Sequence, residues 1–259
     1  MSHSFLILQD TSVIIFQNLD QSSRHYYEVI REHQPCKLYF DIEFKKELNQ
    51  TVNGEKLLQT FIGILLRDLK SKFDVLNINE KEHVLNLTST TEKKFSHHIV
   101  INHPQLIFVN NYSAGKYVKC LCQKLRNMPE MIIVTDEKSE TRNPSHKTKQ
   151  YGTFIDEGVY TKNRNFRLYL SSKFNKKVPL KLFSASNQGD KCIFLNSLVT
   201  VVESHNLGIG NNSTAKTKLI TFEFDEHQNV SLIDWTSEKH SVKNSTPQIR
   251  YLPCSGYPY

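Results

Sequence analysis

The sequence predicts an α+β fold. Apolar and polar residues alternate in several short runs, the pattern of half-buried strands, while two longer stretches repeat apolar residues at helical spacing. Several strand-like runs also come as neighbours separated by short polar segments, as in antiparallel hairpins, rather than alternating strictly with helices.

The elements follow in order. Residues 5–8 and 13–16 are short apolar runs, each the size of a strand or a helix end. Residues 26–30 and 37–44 read as strands joined by a polar turn that contains Pro35. Residues 46–54 read as a polar loop ending in the turn pair Asn53-Gly54. Over 55–73, Leu58, Phe61, Ile62, Leu65, Leu69 and Phe73 share one helical face. Residues 84–87 and 95–101 read as a hairpin across the polar stretch 88–94, and 113–125 as a second helix. Residues 136–150 are charged, contain Pro144 and lack periodicity, so a loop or insertion is expected there. Strands at 153–160 and 165–170, a helix at 191–202 and a strand at 219–225 come next. The closing TPQIRYLPCSGYPY reads as a loose tail.

The bulk properties narrow the function. A chain of 259 residues can form one large domain or two small ones with a substantial core. No apolar run reaches the roughly 18–20 residues of a membrane helix, and no basic region precedes the N-terminal apolar patch, so neither a membrane span nor a signal peptide is expected. The net charge of +7 suits an acidic partner, nucleic acid being the commonest, although charge for solubility gives the same composition. Five irregularly spaced cysteines do not form a disulfide framework and point to a reducing compartment. Cys120 and Cys122 are too close for usual zinc spacing and read as buried thiols.

Chemistry concentrates in three places. In KLYFDIEFKK, Leu38, Phe40, Ile42 and Phe44 make one greasy strand face, and Asp41 and Glu43 lie on the other. Residues two apart on a strand share a side roughly 6.5–7 Å apart. Two carboxylates so placed repel, which is relieved by a proton or by a bound cation, and an oxygen site of this kind suits Mg²⁺ or Mn²⁺. A lone pair of this type is more often a solvent-facing acidic strand, so it needs support from elsewhere. TEKKFSHHIVI provides Lys94, Ser96, His97 and His98; Ser96 and His98 share a side, and with the lysine they make a phosphate clamp. The alternative there is one packed and one solvated histidine. Residues 155–173 add Asp156 as a third acid and set Lys162, Arg164, Arg167 and Lys173 among Asn163, Asn165, Tyr160, Phe166 and Tyr169. Arginine suits phosphate because its fork donates two parallel hydrogen bonds, although a solvated sheet face can also look basic and aromatic.

The ordered series D-x-E (Asp41, Glu43), S-x-H (Ser96, His98) and a later acid (Asp156) resembles the archaeo-eukaryotic primase superfamily and, within it, the eukaryotic primase-polymerases. YYEVIREHQPCKLYFDIEF, VLNLTSTTEKKFSHHIVI and DEGVYTKNRNFRLYLSSK carry the likeness across about residues 26–173, and SGYPY echoes it near the end. The resemblance implies one catalytic core over 1–259, with an α/β module and an RRM-like module, roughly 20–110 and 111–240, intertwined around one cleft. It implies that Asp41, Glu43 and Asp156 hold two Mn²⁺ or Mg²⁺ ions. Lys94, Ser96, His98, Arg167 and Lys173 would bind the incoming triphosphate with help from Ser89. Phe95 and His97 belong to the same substrate segment, and Arg164, Asn165 and Phe166 would lie near nucleotide or template. The implied activity is DNA-directed polymerase and primase, on a single-stranded template and primer with dNTP or NTP. The implied setting is damage tolerance and replication restart by a monomer in the nucleus or mitochondrial matrix.

The pattern also departs from that family. Glu157 stands where relatives usually carry an apolar residue, and Arg24 does not fall in clear register with their upstream nucleotide-binding arginine. No Cys/His cluster follows Gly152, so no zinc and no zinc-binding C-terminal region are expected, and primer extension is a safer expectation than primer synthesis. Two rival readings use the same residues. One is a non-catalytic RRM-like module stacking bases on Tyr160, Phe166 and Tyr169; the other is a metal-dependent nuclease.

Overall fold

The computed structural model describes residues 5–7, 18–139, 147–184, 189–202, 218–223, 230–234 and 248–251. Its organising element is β3, Cys36–Lys45, for which β1 is Phe5–Ile7 and β2 Tyr26–Ile30. Leu38, Phe40, Ile42 and Phe44 turn one side of β3 toward α1, Gly54–Phe73, where Phe40 meets Phe61 edge-on at 5.4 Å between ring centres. The apolar stripe of α1 is buried as its periodicity predicts, from Leu57 to Leu69. Asn53 is not part of a turn: its side chain accepts the Lys56 N–H at 3.0 Å and caps α1. Gly54 is required by packing, because a Cβ there would lie 2.5 Å from the Phe95 ring.

After the short α2, Glu80–His83, strands β4 (Val84–Thr88) and β5 (Lys94–Ile101) form the expected hairpin, and β6, Ile107–Phe108, leads into α3, Asn111–Arg126. Strands β7 (Ile133–Ser139) and β8 (Lys147–Gly152) pair with each other, β9 is Arg164–Arg167 and β10 Lys181–Leu182. The remaining elements are α4 (Asp190–Ser197), β11 (Lys218–Phe222), β12 (Val230–Asp234) and β13 (Gln248–Tyr251). The chain is therefore α+β. A seven-stranded sheet runs β10-β4-β5-β3-β6-β11-β12, and a four-stranded antiparallel sheet runs β1-β13-β2-β9. Both sheets take strands from both halves of the chain.

Several expectations are corrected. The span 136–150, read as a loop, contains most of the β7–β8 ribbon, because cross-strand pairing from Ile133↔Gly152 to Ser139↔Lys147 stands in for a buried apolar face. Residues 153–160 are not a strand: they make one bridge, Ile42↔Ile155, then a 3₁₀ turn over Glu157–Val159. The strand expected at 165–170 stops at Arg167, and Leu170 has φ 61°. The helix expected over 191–202 ends at Ser197. The tail is not loose throughout, since β13 inserts between β1 and β2. Residues 13–16 and the SGYPY segment lie outside the described residues.

The two larger sheets face each other through the second side of β3. Tyr39 meets Phe166 of β9 at 5.1 Å. Deeper in, Lys37 of β3 lies in the field of Glu28 of β2. Burial falls along this side: Lys37 and Tyr39 are fully buried, the side chains of Asp41 and Glu43 are 18% and 38% exposed, and Lys45 is exposed. The interface is thus closed at one end and opens into a cleft at the acids. Among the described residues, no helix is long and apolar enough to cross a membrane.

Candidate active site

Register builds the site. Pairing of β3 with β5 sets Asp41 opposite His98 and Glu43 opposite Ser96, so the D-x-E and S-x-H stretches lie side by side. Directly opposed residues in an antiparallel pair share a face. On the other edge of β3, the Asp156 N–H donates to the Asp41 carbonyl at 2.9 Å and the Glu43 N–H donates to the Phe154 carbonyl at 2.8 Å. Asp156 is thereby held across the backbone from Asp41, although 115 positions of sequence separate them. Its carboxylate accepts the Gly158 N–H at 2.8 Å, which starts the 3₁₀ turn. The adjacent Glu157 turns elsewhere and pairs with Arg126 at the end of α3.

Asp41 lies in the field of both other acids. Burial raises the Asp41 carboxyl to about 6, with Glu43 and then Asp156 adding to the rise and Lys173 and Lys94 opposing it. Basic groups surround them. Lys94 forms an ion pair with Glu43, and Arg164 Nη2 lies 3.9 Å from Asp156 Oδ2. Arg167 Nη2 donates to Ser89 Oγ at 2.6 Å, and Ser89 Oγ donates to Ser96 Oγ at 3.1 Å. Arg167, Ser89 and Ser96 therefore form a chain from the four-stranded sheet to the seven-stranded one. Lys173 is exposed as a residue, yet partial burial of its amine, then Lys94 and Arg167, lower its proton affinity. This places Lys173, Lys94 and Arg167 in one cationic group beside the acids.

His98 sits between the two charge types. Its Nε2 is 3.8 Å from Asp41 Oδ1, and its ring stacks on Phe166 at 4.2 Å. Burial holds it well below the usual imidazole value, and Arg167 and Lys173 push it further, so it is neutral. Phe166 is buried beneath His98 and against Tyr39, so it supports the imidazole from behind.

Two residues expected with the substrate group lie elsewhere. Phe95 and His97 alternate onto the α1 side of β5. Phe95 stacks on Phe44 at 4.9 Å, and His97 stacks on Phe95 at 4.5 Å. The His97 ring nitrogens are matched to Asn86 Oδ1 at 2.7 Å and Thr88 Oγ1 at 3.2 Å, and burial lowers the ring to about 4. Both residues line a cavity of about 550 Å³ on the side of the sheet away from the acids. Arg164 remains near the site through Asp156, while Asn165 pairs with Val29 on β2; each has a buried polar atom, Nε and Oδ1, that makes no hydrogen bond.

The donor chemistry suits a hard divalent cation: three carboxylates on adjacent backbone and, at Asp41 Oδ1, a buried acceptor with no hydrogen-bond donor. Among the described residues, no three His, Cys, Asp or Glu side chains are drawn in to one point, since Glu43 is engaged by Lys94 and Asp156 leans to Arg164. At the hairpin turn the sequence singles out Ser89 but not Thr90, whose Oγ1 accepts the Ser96 N–H at 3.0 Å. The signal was the hydroxyl run Ser89-Thr90-Thr91 just ahead of Ser96.

No family model matches the chain. Curated proteins do. The DNA-directed primase/polymerase protein of Danio rerio is 32% identical over 248 aligned residues, covering 82% of this chain and 47% of its own length. The protein of the same name from Homo sapiens is 31% identical over 212 residues, 61% of this chain and 37% of its own. That of Bos taurus is 27% identical over 314 residues, 98% of this chain and 54% of its own. The chain spans about half the length of the curated relatives it matches.

Proposed function

Because the chain belongs to the DNA-directed primase/polymerase family, we propose that its cleft carries out template-directed nucleotidyl transfer, extending a primer on single-stranded DNA. The reaction joins the primer 3′-oxygen to the α-phosphorus of an incoming nucleotide, breaks the bond to the β-phosphate oxygen and releases pyrophosphate. One observation carries the reading: the Asp156–Asp41 backbone hydrogen bond sets a third acid beside Asp41 and Glu43, and a cationic group adjoins all three.

In this reading Lys94, Arg167 and Lys173 receive the β- and γ-phosphates and offset the charge that collects on the leaving group. Ser89 and Ser96 orient Arg167 and offer hydroxyls to phosphate oxygens. His98 is neutral, so it contributes a directed N–H rather than further charge, held in place by Phe166. Asp41, Glu43 and Asp156 would hold Mn²⁺ or Mg²⁺, which supply positive charge to the attacking and leaving oxygens when bound. The chain forms one primase-type core of two intertwined modules, roughly residues 20–110 and 111–240, and the monomer serves damage tolerance and replication restart in the nucleus or mitochondrial matrix.

The test is primer extension with a labelled primer, a single-stranded template overhang, dNTPs and Mn²⁺ or Mg²⁺. The wild-type chain lengthens the primer. The double variant Asp41→Ala, Glu43→Ala does not, while its template affinity stays within about twofold. Extension by that variant would overturn the metal assignment. A shortened primer would mark a nuclease, and template binding without either reaction a non-catalytic module.

A further inference from the structure

The β7–β8 ribbon has no role in the chemistry above, and burial in the core does not account for its composition. Lys147, Thr148, Lys149, Gln150 and Tyr151 are all exposed, so the outer part of β8 has no buried side. Tyr151 leaves 67% of its surface to solvent. Residues at alternate positions of a strand share a side, which groups Lys147, Lys149 and Tyr151. Lys147 is ion-paired with Glu137 at 2.9 Å, and Lys138 approaches Asp136 at 4.0 Å. Among the described residues Lys149 has no ion pair. The ribbon therefore presents one uncommitted cation and one exposed ring two residues apart on a single edge.

The ribbon is also tied to the cleft at both ends of its base. Asn49 accepts the Val134 N–H at 2.8 Å and donates to the Val134 carbonyl at 2.9 Å, and it donates to the Lys45 carbonyl at 3.0 Å. Lys45 is two residues past Glu43, and Val134 is the cross-strand partner of Tyr151. At the other end, Tyr151 precedes Asp156 by five positions, at most about 17 Å of extended backbone. A stacked nucleic-acid strand advances about 3.4 Å per nucleotide, so the ring lies within about five nucleotides of the acids.

We propose that this edge of the ribbon contacts the single-stranded template next to the cleft, Tyr151 stacking on a base and Lys149 pairing with a phosphate. An exposed aromatic ring offers a face that any base can stack on, and a lysine two residues along follows the backbone without reading sequence. The proposal rests on the polymerase reading of the cleft and adds a template contact to it.

The experiment measures binding of a fluorescently labelled single-stranded oligonucleotide to the full chain by anisotropy, without nucleotide or divalent metal, alongside primer extension. Tyr151→Ala weakens binding roughly 5- to 150-fold and Tyr151→Phe stays within about twofold, as expected for stacking. Lys149→Ala lowers the slope of log affinity against log salt by about 0.7, the loss of one single-strand phosphate contact; this readout stands even if Tyr151→Ala folds poorly. If the wild-type chain binds and extends but Tyr151→Ala and Lys149→Ala match it in affinity and slope, the ribbon contact is overturned and the polymerase reading survives. If the wild-type chain neither binds nor extends, both fail. If Tyr151→Ala abolishes self-association while DNA affinity is unchanged, the edge joins copies of the chain and the template contact is overturned.

Discussion

Asp41 is the residue at which folding and the proposed chemistry conflict. Its carboxyl is raised from the usual 3.8 to about 6, by burial first and by its acidic neighbours second. Between those values the folded chain holds a proton that the unfolded chain has lost, so stability falls as pH rises from about 4 to about 6 and the loss is constant above. A tenfold change in proton affinity corresponds to about 1.4 kcal/mol, which sets an upper figure of about 3 kcal/mol. In chelator, Asp41→Asn should therefore unfold at higher urea than the wild type at pH 8, by about 1–3 kcal/mol on this scale, and at the same urea at pH 4. Equal midpoints at pH 8 would show that the carboxylate is not under strain in the metal-free fold. The acidic pair was legible from the alternation of KLYFDIEFKK, because a side-chain period of two is a local property. Whether Phe95 and His97 joined the expected substrate group was a matter of the same alternation, and their parity puts them with Phe44 on the α1 side.

At the scale of elements, two glycines in helices make opposite demands. A Cβ on Gly115 of α3 would come within 2.6 Å of the Tyr160 Cβ, where α3 packs against the turn that follows Asp156. Gly63 of α1 meets only the Arg67 guanidinium, at 3.6 Å. Gly63→Ala should stabilise the chain by roughly 0.5–1 kcal/mol, while Gly115→Ala should cost about 1–3 kcal/mol through overpacking. Thermal or urea melts read both, and a destabilised Gly63→Ala would contradict the open surroundings of that position. The helices were legible because their apolar spacing repeats over several turns. The β7–β8 ribbon was not, because beyond Ile133 at its base it adds no residue to the buried core and leaves no alternation of burial in the sequence.

For the whole molecule, the closed end of the sheet interface depends on a buried acid. Glu28 accepts the Val199 N–H at 2.8 Å and the Thr200 N–H and hydroxyl at 2.8 and 2.6 Å, and it lies beside Lys37. Burial raises the Glu28 carboxyl and lowers the Lys37 amine to about 7, so each ion is costly where it sits. Glu28→Ala strands three donors and leaves Lys37 unopposed, and should cost about 3–5 kcal/mol. Lys37→Met removes the cation but leaves Glu28 its three donors, so it should cost less than Glu28→Ala; only replacement of both partners by apolar groups should be near neutral. Urea midpoints of the two variants decide it; comparable losses would mean that the lysine, too, contributes net stability. Nothing local marks Glu28 or Lys37 as partners, since they belong to different sheets.

By itself the sequence determined what periodicity and residue order carry: the α+β class, α1 and α3, the β4–β5 hairpin, the side of β3 that bears the acids, and the family. The tertiary structure decided what depends on pairing between distant segments. It put Asp156 against Asp41, linked Arg167 through Ser89 to Ser96, and seated β13 between β1 and β2 with Ile249 opposite Glu28. The division is physical: alternation is set by neighbouring side chains, whereas register between remote strands is set by the packing and hydrogen bonding of the completed sheet.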